Sequence, residues 1–299
     1  DDTKNVATTL LSLVCNSPES RAVTLLLNAK ASPNQGTPLY FAARAGNEHS
    51  VQQLLQAKAN VNQPSPWRGT ALNAAAQFGH SGVCEALLQA KADVNTSMDD
   101  SATPVYFAAQ QGYAEVVTLL LNAQADPNVA TDPHSITPLY IATSQNHTAI
   151  VESLLHKKAE VNFRRDTGAT AVACAVRRNN LTCLRFLLDA KGDPSVPERV
   201  AMTRTEAGKT VTEIVDKMPL QTAFERANAD AIKMLLTASV PPPLVHGAWN
   251  VEDAANALND LSVIRTLVDM KAMVDQSPTE NNAEDQPQHS ETETKREMG

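Results

Sequence analysis

A motif that begins with threonine recurs at a nearly fixed interval, and this period restricts the fold more than any other feature of the chain. The motif reads TPLYFAARAGN from residue 37, TALNAAAQFGH from 70, TPVYFAAQQGY from 103, TPLYIATSQNH from 137 and TAVACAVRRNN from 170. The steps between the threonines are 33, 33, 34 and 33 residues. A constant period of this length indicates stacked units, each of which buries its apolar face against its neighbours.

Each unit has the pattern of two short helices. In the unit that starts at Thr37, threonine is a favourable N-cap, and Pro38 takes the first helical position, where a missing N–H has no cost. Apolar residues then recur at helical spacing, first around Leu39 and, after a turn, again at Leu54 and Leu55. Asparagine-containing segments lead from the second helix to a hairpin-like tip before the next threonine.

The period and the TPLYFAA motif resemble the ankyrin repeat family, whose signature is T-P-L-H-x-A. The resemblance implies an all-α, ankyrin-repeat solenoid of about eight helix-turn-helix units with hairpin tips over residues 1–275. The units start near residues 9, 37, 70, 103, 137, 170, 218 and 250. The outer units are degenerate, as expected where a terminal repeat gives one face to water.

The signature histidine is replaced in all five clear units, by Tyr40, Asn73, Tyr106, Tyr140 and Ala173. The hydrogen bonding between units that this histidine makes in the family is therefore predicted to be absent or rebuilt. We interpret the tyrosines as structural residues that stack along one face; an exposed tyrosine ladder that grips a partner is the alternative.

Two stretches fall outside the repeat. The interval from Thr170 to Met218 is 48 residues instead of about 33, which leaves an extended loop at 196–217. β-branched residues on both sides of EAGK predict a projecting β-hairpin over 199–215, with either a binding role or no role. The AGKT sequence is not a phosphate-binding loop, because Thr203 stands where that motif needs a glycine. Residues 276–299 are acidic and almost free of apolar residues, so they are predicted to be a disordered tail.

Lysine ends the second helix of most units, where glycine is the usual residue because it enters the left-handed conformation freely. The series comprises Lys30, Lys58, Lys91, Lys158, Lys191 and Lys271, with Gln124 as the polar exception. We predict a small loss of stability in each unit if these caps are left-handed, and a positive ladder along one edge. A mere lineage habit of the repeat is the alternative.

Asparagines end the next segment of each unit, at Asn62, Asn95, Asn128 and Asn162. Their side chains are predicted to cap the hairpin turn. Hydroxylation of this asparagine, known in some ankyrin proteins, is permitted by the resemblance.

Composition and motifs exclude several classes of function. The net charge of −8 argues against general nucleic-acid binding, and no run of 18 apolar residues predicts a membrane span. The four cysteines, without metal-ligand or CxxC spacing, are interpreted as buried apolar residues of a reducing compartment. No signal peptide is visible, so the expected location is the cytoplasm, with nuclear and organellar compartments left open. The histidines show no ligand spacing, and we predict no cofactor, no metal and no enzymatic activity.

The resemblance implies a binding function, because partners of ankyrin arrays usually dock on the hairpin tips and on the exposed face of the first helices. We predict a monomeric adaptor or scaffold that binds another protein. The alternative is a permanent structural subunit of a larger assembly. The candidate first-helix residues are Arg44, Gln77, Phe78, Gln110 and Gln111.

A second group of candidates combines tips with helix ends. Trp67 and Arg68 lie on one tip and are residue types enriched at interface hot spots, although Trp67 could instead fold over its own loop. Arg164, Arg165, Arg177 and Arg178 are predicted to converge on a basic patch for an acidic or phosphorylated segment of the partner. A solvated face partly neutralised by Asp166 is the alternative.

Overall fold

The structure, a computed structural model, describes residues 10–15, 20–66, 68–206 and 209–238, without the side chains of 20, 202, 204–206 and 209–211. The chain divides into two compact units, Asp1–Leu244 and Val245–Gly299, and all described residues belong to the first. The predicted eighth repeat near 250 and the tail at 276–299 lie outside the described residues.

The described residues contain seven consecutive helix pairs, each formed by a first and a second helix. The first helices are 10–15 (α1), Pro38–Arg44 (α3), Ala71–Phe78 (α5), Pro104–Gln111 (α7), Pro138–Ser144 (α9), Ala171–Arg178 (α11) and Pro219–Glu225 (α13). The second helices are Ser20–Asn28 (α2), Glu48–Gln56 (α4), Ser81–Gln89 (α6), Ala114–Asn122 (α8), Thr148–His156 (α10), Leu181–Asp189 (α12) and Ala229–Ala238 (α14). The all-α repeat solenoid predicted from the period is therefore confirmed.

The core is a continuous layer between the helices. First helices pack on first helices and second helices on second helices along the array. Alanines at the centre of the first helices, such as Ala75 and Ala108, are fully buried and permit close approach, while Leu87, Leu120 and Leu154 fill the space from the second helices. One pair cannot bury these residues by itself, so stability comes from stacking.

Three of the five threonines cap the first helices with their side chains, whereas the Thr70 hydroxyl donates to Asn73 Oδ1 at 2.9 Å. Thr103, Thr137 and Thr170 accept a hydrogen bond from the backbone N–H three residues on, which satisfies a donor that the helix leaves free. Thr37 makes no such side-chain bond and has φ 55°, so the prediction of a threonine cap is wrong for this unit.

The described lysines at the ends of the second helices adopt the left-handed conformation, and Lys271 lies outside the described residues. Lys30, Lys58, Lys91, Lys158 and Lys191 have φ between 61° and 65°, and Gln124 has 69°. In the case of Lys91, its N–H donates to Leu88 O and the next N–H, of Ala92, donates to Leu87 O. This is the Schellman pattern, with lysine where glycine is usual.

Replacing Lys91 by glycine is expected to raise the free energy of unfolding by about 0.5 kcal/mol. Relief of the left-handed conformation outweighs the lost helix-dipole contact and the greater freedom of glycine in the unfolded chain. Thermal unfolding of wild type, Lys91→Gly and Gln124→Gly measures the effect. Gln124→Gly should raise the stability more than Lys91→Gly does, because glutamine has no charge to lose at the helix end. A Lys91→Gly protein that melts no higher than wild type would contradict a strained cap.

The asparagines connect units instead of capping their own turns, so that prediction is wrong. Within a turn, the asparagine's own backbone N–H is capped by the side chain two residues earlier. Asp93 Oδ1 accepts the N–H of Asn95 at 3.0 Å. The Asn side chain reaches the following unit, because successive turns lie side by side. The bonds run from Asp93 N–H to Asn62 Oδ1 (2.8 Å), Asp126 to Asn95 (2.9 Å), Glu160 to Asn128 (2.7 Å) and Asp193 to Asn162 (2.7 Å).

A second row of bridges joins the turns between paired helices. His80 Nε2 lies 3.0 Å from Arg44 O, and His147 Nε2 lies 3.3 Å from Gln110 O. Asn180 continues the row by donating to Thr143 O at 2.7 Å. The two histidines thus hydrogen-bond across units.

The insertion forms two antiparallel strands, Glu198–Glu206 (β1) and Lys209–Lys217 (β2), which confirms the predicted hairpin. The pairing is continuous from Glu198↔Lys217 to Glu206↔Lys209, so the register contains no bulge. This sheet interrupts the helical array between its sixth and seventh described pairs.

Candidate functional site

A row of polar and aromatic residues at the C-terminal ends of the first helices is exposed; we call it the first-helix face. In the units of α3, α5, α7, α9 and α11, one of two adjacent residues is exposed and the other is exposed or half-buried, because a helix turns by 100° per residue. The exposed members are Arg44, Phe78, Gln111, Gln145 and Arg178, and the half-buried ones are Gln77, Gln110, Ser144 and Arg177.

The structure brings Arg44 and Phe78 together on this face. The Arg44 guanidinium carbon lies 5.6 Å from the centre of the Phe78 ring, a cation–π contact worth about 0.5–1 kcal/mol at an exposed site. Phe78 remains 42% exposed, and its ring stacks on His80 at 6.4 Å. The result is an exposed aromatic platform that a charge and an imidazole hold in place.

The predicted basic patch is only partly assembled. Arg177 Nη2 donates to the Tyr140 hydroxyl at 2.8 Å, and Arg165 Nη1 donates to the same oxygen at 3.2 Å. The Arg165 guanidinium also lies 4.8 Å from the centre of the Tyr140 ring. Two of the four arginines are therefore engaged inside the protein, because the next unit's tip and helix end both converge on this tyrosine.

The charge around Tyr140 is nearly balanced. Burial raises the pKa of Tyr140 above its ordinary value even though two guanidinium groups stand beside it, so the hydroxyl stays neutral. The compensating charges are Glu198, whose Oε1 lies 3.8 Å from Arg177 Nε, and Asp166, whose Oδ1 lies 3.9 Å from Arg165 Nη2. The interpretation of an open four-arginine patch is corrected: Arg164 and Arg178 are exposed, and no contact in the described chain places them in this cluster.

Comparison with known families agrees with this architecture. The family described as "Ankyrin repeats (3 copies)" matches residues 51–131 and, overlapping them, 105–198, and the description "Ankyrin repeat" matches residues 34–66. Together the matches span residues 34–198, more than half of the 299 residues. The chain belongs to the ankyrin repeat family. No curated protein matches it.

Ankyrin repeats generally mediate protein–protein interaction, and proteins of this family are typically non-enzymatic binding scaffolds. Among the residues that the structure describes, no group of histidine, cysteine and carboxylate side chains could hold a metal ion. None of the described helices has the length and apolar character of a membrane span.

The tips of this ankyrin array interact with one another. Arg68 Nε lies 3.5 Å from Asp99 on the next tip, but both side chains are largely exposed, so the pair contributes little stability. His134 O accepts a bond from Arg165 Nε at 3.2 Å. Trp67, the strongest tip candidate from the sequence, lies outside the described residues.

The residues that replace the ankyrin signature histidine hold the tips. Asn73 Nδ2 donates to Thr96 O at 3.1 Å, Tyr106 hydrogen-bonds Thr131, and Tyr140 accepts from Arg165. Tyr40, Tyr106 and Tyr140 are only 6–8% exposed, which confirms the structural interpretation. In these three units, hydrogen bonds between the first helix and the following tip replace those of the family's histidine.

The thiols lie inside the same array. Cys15, Cys84, Cys174 and Cys183 are free and buried, as expected for small apolar residues. Burial raises the pKa of Cys15 and Cys84 to about 12 and that of Cys183 to about 11. A thiol with so high a pKa carries almost no thiolate near neutral pH and is a poor nucleophile.

Sequence reasoning missed Glu198, the carboxylate that faces Arg177. It is 5% exposed and begins β1, so a residue of the insertion completes a charge cluster in the array. A buried carboxylate next to Arg177 has no signal in the repeat pattern, because Glu198 belongs to no repeat position.

Proposed function

We propose that this ankyrin chain is a non-catalytic adaptor that binds a partner protein across the first-helix face and the neighbouring tips. The observation that carries the proposal is the platform of Arg44 and Phe78, an exposed aromatic and a guanidinium held together. Tryptophan, tyrosine and arginine dominate interface hot spots, and preorganised side chains lose little entropy on binding. In this proposal the free protein is a cytoplasmic monomer.

An acidic or phosphorylated segment of the partner would bind at the C-terminal part of the same face. Arg164 and Arg178 are exposed and lie in the same unit as Arg165 and Arg177, whose charges are retained beside a neutral Tyr140. Guanidinium groups bind carboxylates and phosphates through paired hydrogen bonds. Arg164 and Arg178 would make the contact, because Arg165 and Arg177 are already paired with Asp166 and Glu198.

A permanent subunit of a larger assembly is a second candidate, and a different observation favours it. Leu13 and Leu25 in the first described pair are 66% and 69% exposed, and Leu10 is 44% exposed. If these leucines form one contiguous apolar patch, the patch would be an interface. An obligate interface there would keep the chain in a complex of fixed size.

Pull-down from native extract, with the partner identified by mass spectrometry and its affinity then measured with purified protein, tests the adaptor. The double variant Arg44→Ala/Phe78→Ala is expected to weaken binding about 30-fold, because a hot spot contributes about 2 kcal/mol or more. Arg164→Glu/Arg178→Glu should weaken it further for an acidic partner.

Two controls complete the experiment. Gln56→Ala, an exposed change on a second helix, should leave the affinity unchanged. Equal affinity of the Arg44→Ala/Phe78→Ala protein and wild type would refute the site. Size-exclusion chromatography of native extract separates the two candidates, since a single large complex that survives dilution indicates a permanent subunit.

A further inference from the structure

The outer edge of β2 is an open strand edge on a hairpin that is fixed to the array. Both strands have nine residues, which corresponds to a length of about 30 Å. All nine residue pairs of the two strands are aligned without a bulge, which is more order than a loop that only connects two helices requires. The position of the hairpin is also determined by several contacts.

Contacts at the base of the hairpin attach both strands. On β1, the Arg199 N–H donates to Thr167 O at 2.8 Å, and Glu198 lies against Arg177 at 3.8 Å. On β2, Lys217 pairs with Glu225 of α13. The hairpin is therefore held at its base by the helix pairs before and after it.

The register shows which backbone groups point outward. In an antiparallel pair, residues alternate between those that bond to the opposite strand and those whose N–H and C=O point away from it. The Arg199 N–H donates to Thr167 and therefore points away from β2. Glu206 and Lys209 flank a two-residue connection, and such a closing pair is hydrogen-bonded across the strands. Both observations place the odd-numbered residues of β1 and the even-numbered residues of β2 on the outer edges. The outward-pointing residues are Arg199, Ala201, Thr203 and Thr205 on β1 and Thr210, Thr212, Ile214 and Asp216 on β2.

The two edges differ in what already occupies them. The β1 edge is bonded to the Thr167 tip through Arg199, whereas no backbone hydrogen bond within the described chain reaches the β2 edge. Thr212 is exposed and Ile214 is 71% exposed, and between Lys209 and Lys217 β2 has no lysine, proline or bulge. Lysine, proline and bulges are features by which proteins usually protect an open edge, so between the two terminal lysines only the carboxylates of Glu213 and Asp216 guard this one.

We propose that the β2 edge binds an extended segment of a partner protein as an added strand. The outward N–H and C=O groups of Thr212, Ile214 and Asp216 hydrogen-bond to the segment's backbone, and Ile214 contacts an apolar side chain on it. The segment contains no proline in its central residues and alternates apolar or β-branched residues with polar ones. This surface is separate from the first-helix face and does not depend on it.

A second copy of the chain fits this edge less well than a partner strand. The one antiparallel self-pairing that uses the whole of β2 is centred on Glu213, so it places Glu213 opposite the same residue of the second copy. Like charges directly opposite each other destabilise a strand pair. A partner segment with a basic or neutral residue at that position avoids the repulsion.

The test uses the full chain and a displayed library of nine-residue peptides, matched to the strand length. Peptides are selected on wild type and counter-selected on Thr212→Pro, which removes one outward N–H. The matched control is Thr203→Pro, because Thr203 lies opposite Thr212 and removes an outward N–H from the other edge. We expect alternating sequences whose affinity falls about tenfold or more on Thr212→Pro and is unchanged on Thr203→Pro.

Two further measurements keep the result interpretable if proline disturbs the hairpin. Ile214→Lys leaves the β1–β2 pairing intact and should also weaken the peptides. Alternate N–H groups of a bound peptide donate to β2, and the others point away from it. N-methylation of the first set should abolish binding, and N-methylation of the second set should leave it unchanged. The proposal would be overturned if the selected peptides bound Thr212→Pro and Ile214→Lys as tightly as they bind wild type. It would also be overturned if no peptide were enriched after the counter-selection. A wild-type dimer that Thr212→Pro dissociates in sedimentation would overturn it in favour of a second copy.

Discussion

Replacing Leu120 by alanine is expected to lower the free energy of unfolding by about 2–5 kcal/mol. Leu120 is fully buried in α8, which packs against α6 on one side and α10 on the other. The truncation removes buried apolar surface and leaves a cavity between two interfaces of the stack. Because stability in a repeat array is a sum over units and their interfaces, damage to a central unit weakens both neighbours.

Denaturant unfolding of wild type and Leu120→Ala measures the loss, and Asn122→Ala provides the control on the same helix. Asn122 is exposed, so its replacement should change stability by no more than about 0.5 kcal/mol. Similar losses for the two variants would mean that α8 does not bury Leu120 between its neighbours.

Replacing Gly79 by alanine is expected to cost about 2–3 kcal/mol. Gly79 ends α5 with φ +77°, where an added Cβ is strained by about 1–2 kcal/mol. The Cβ would also lie 2.6 Å from Cε1 of Tyr113 in the next unit, so the ring must move. Gly79 thus reports on the close approach of two successive units as well as on local backbone conformation.

A double-mutant cycle separates these two causes. In a Tyr113→Ala background, Gly79→Ala should cost only the backbone strain, so the two changes should show a coupling of about 1 kcal/mol. Thermal or urea unfolding of the four proteins gives the coupling. An equal cost of Gly79→Ala in both backgrounds would show that the Tyr113 ring does not pack on Gly79.

The repeat period predicted the helix pairs, and the same alignment predicted where they end. The positions of the lysine caps and the hairpin also followed from local sequence, because a helix end and a strand alternation depend on neighbouring residues, whereas the left-handed conformation of the lysines was only a condition of the prediction. Thr37 departs from the pattern although its sequence, TPLY, is the one found at Thr137. We have no physical account of that difference.

The contacts between units could not be predicted from the sequence. The Oδ1 atom of Asn95 meets the N–H of Asp126, 31 residues later, and whether it reaches depends on how far one unit is displaced from the next. The same holds for Arg165 and Arg177, which meet at Tyr140 from a tip and a helix end. Charge alone suggested four free arginines, whereas a neutral hydroxyl and Glu198 engage two of them.

The measurement that tests the adaptor most directly is hydrogen–deuterium exchange of the full chain with and without the purified partner. Binding at the first-helix face should protect backbone amides at the ends of α3, α5 and α7, around Arg44, Phe78 and Gln111, and in the adjoining tips. Amides at the ends of the second helices, around Lys91, should exchange as in the free protein. Protection confined to the second helices, or to α1 and α2, would contradict the account.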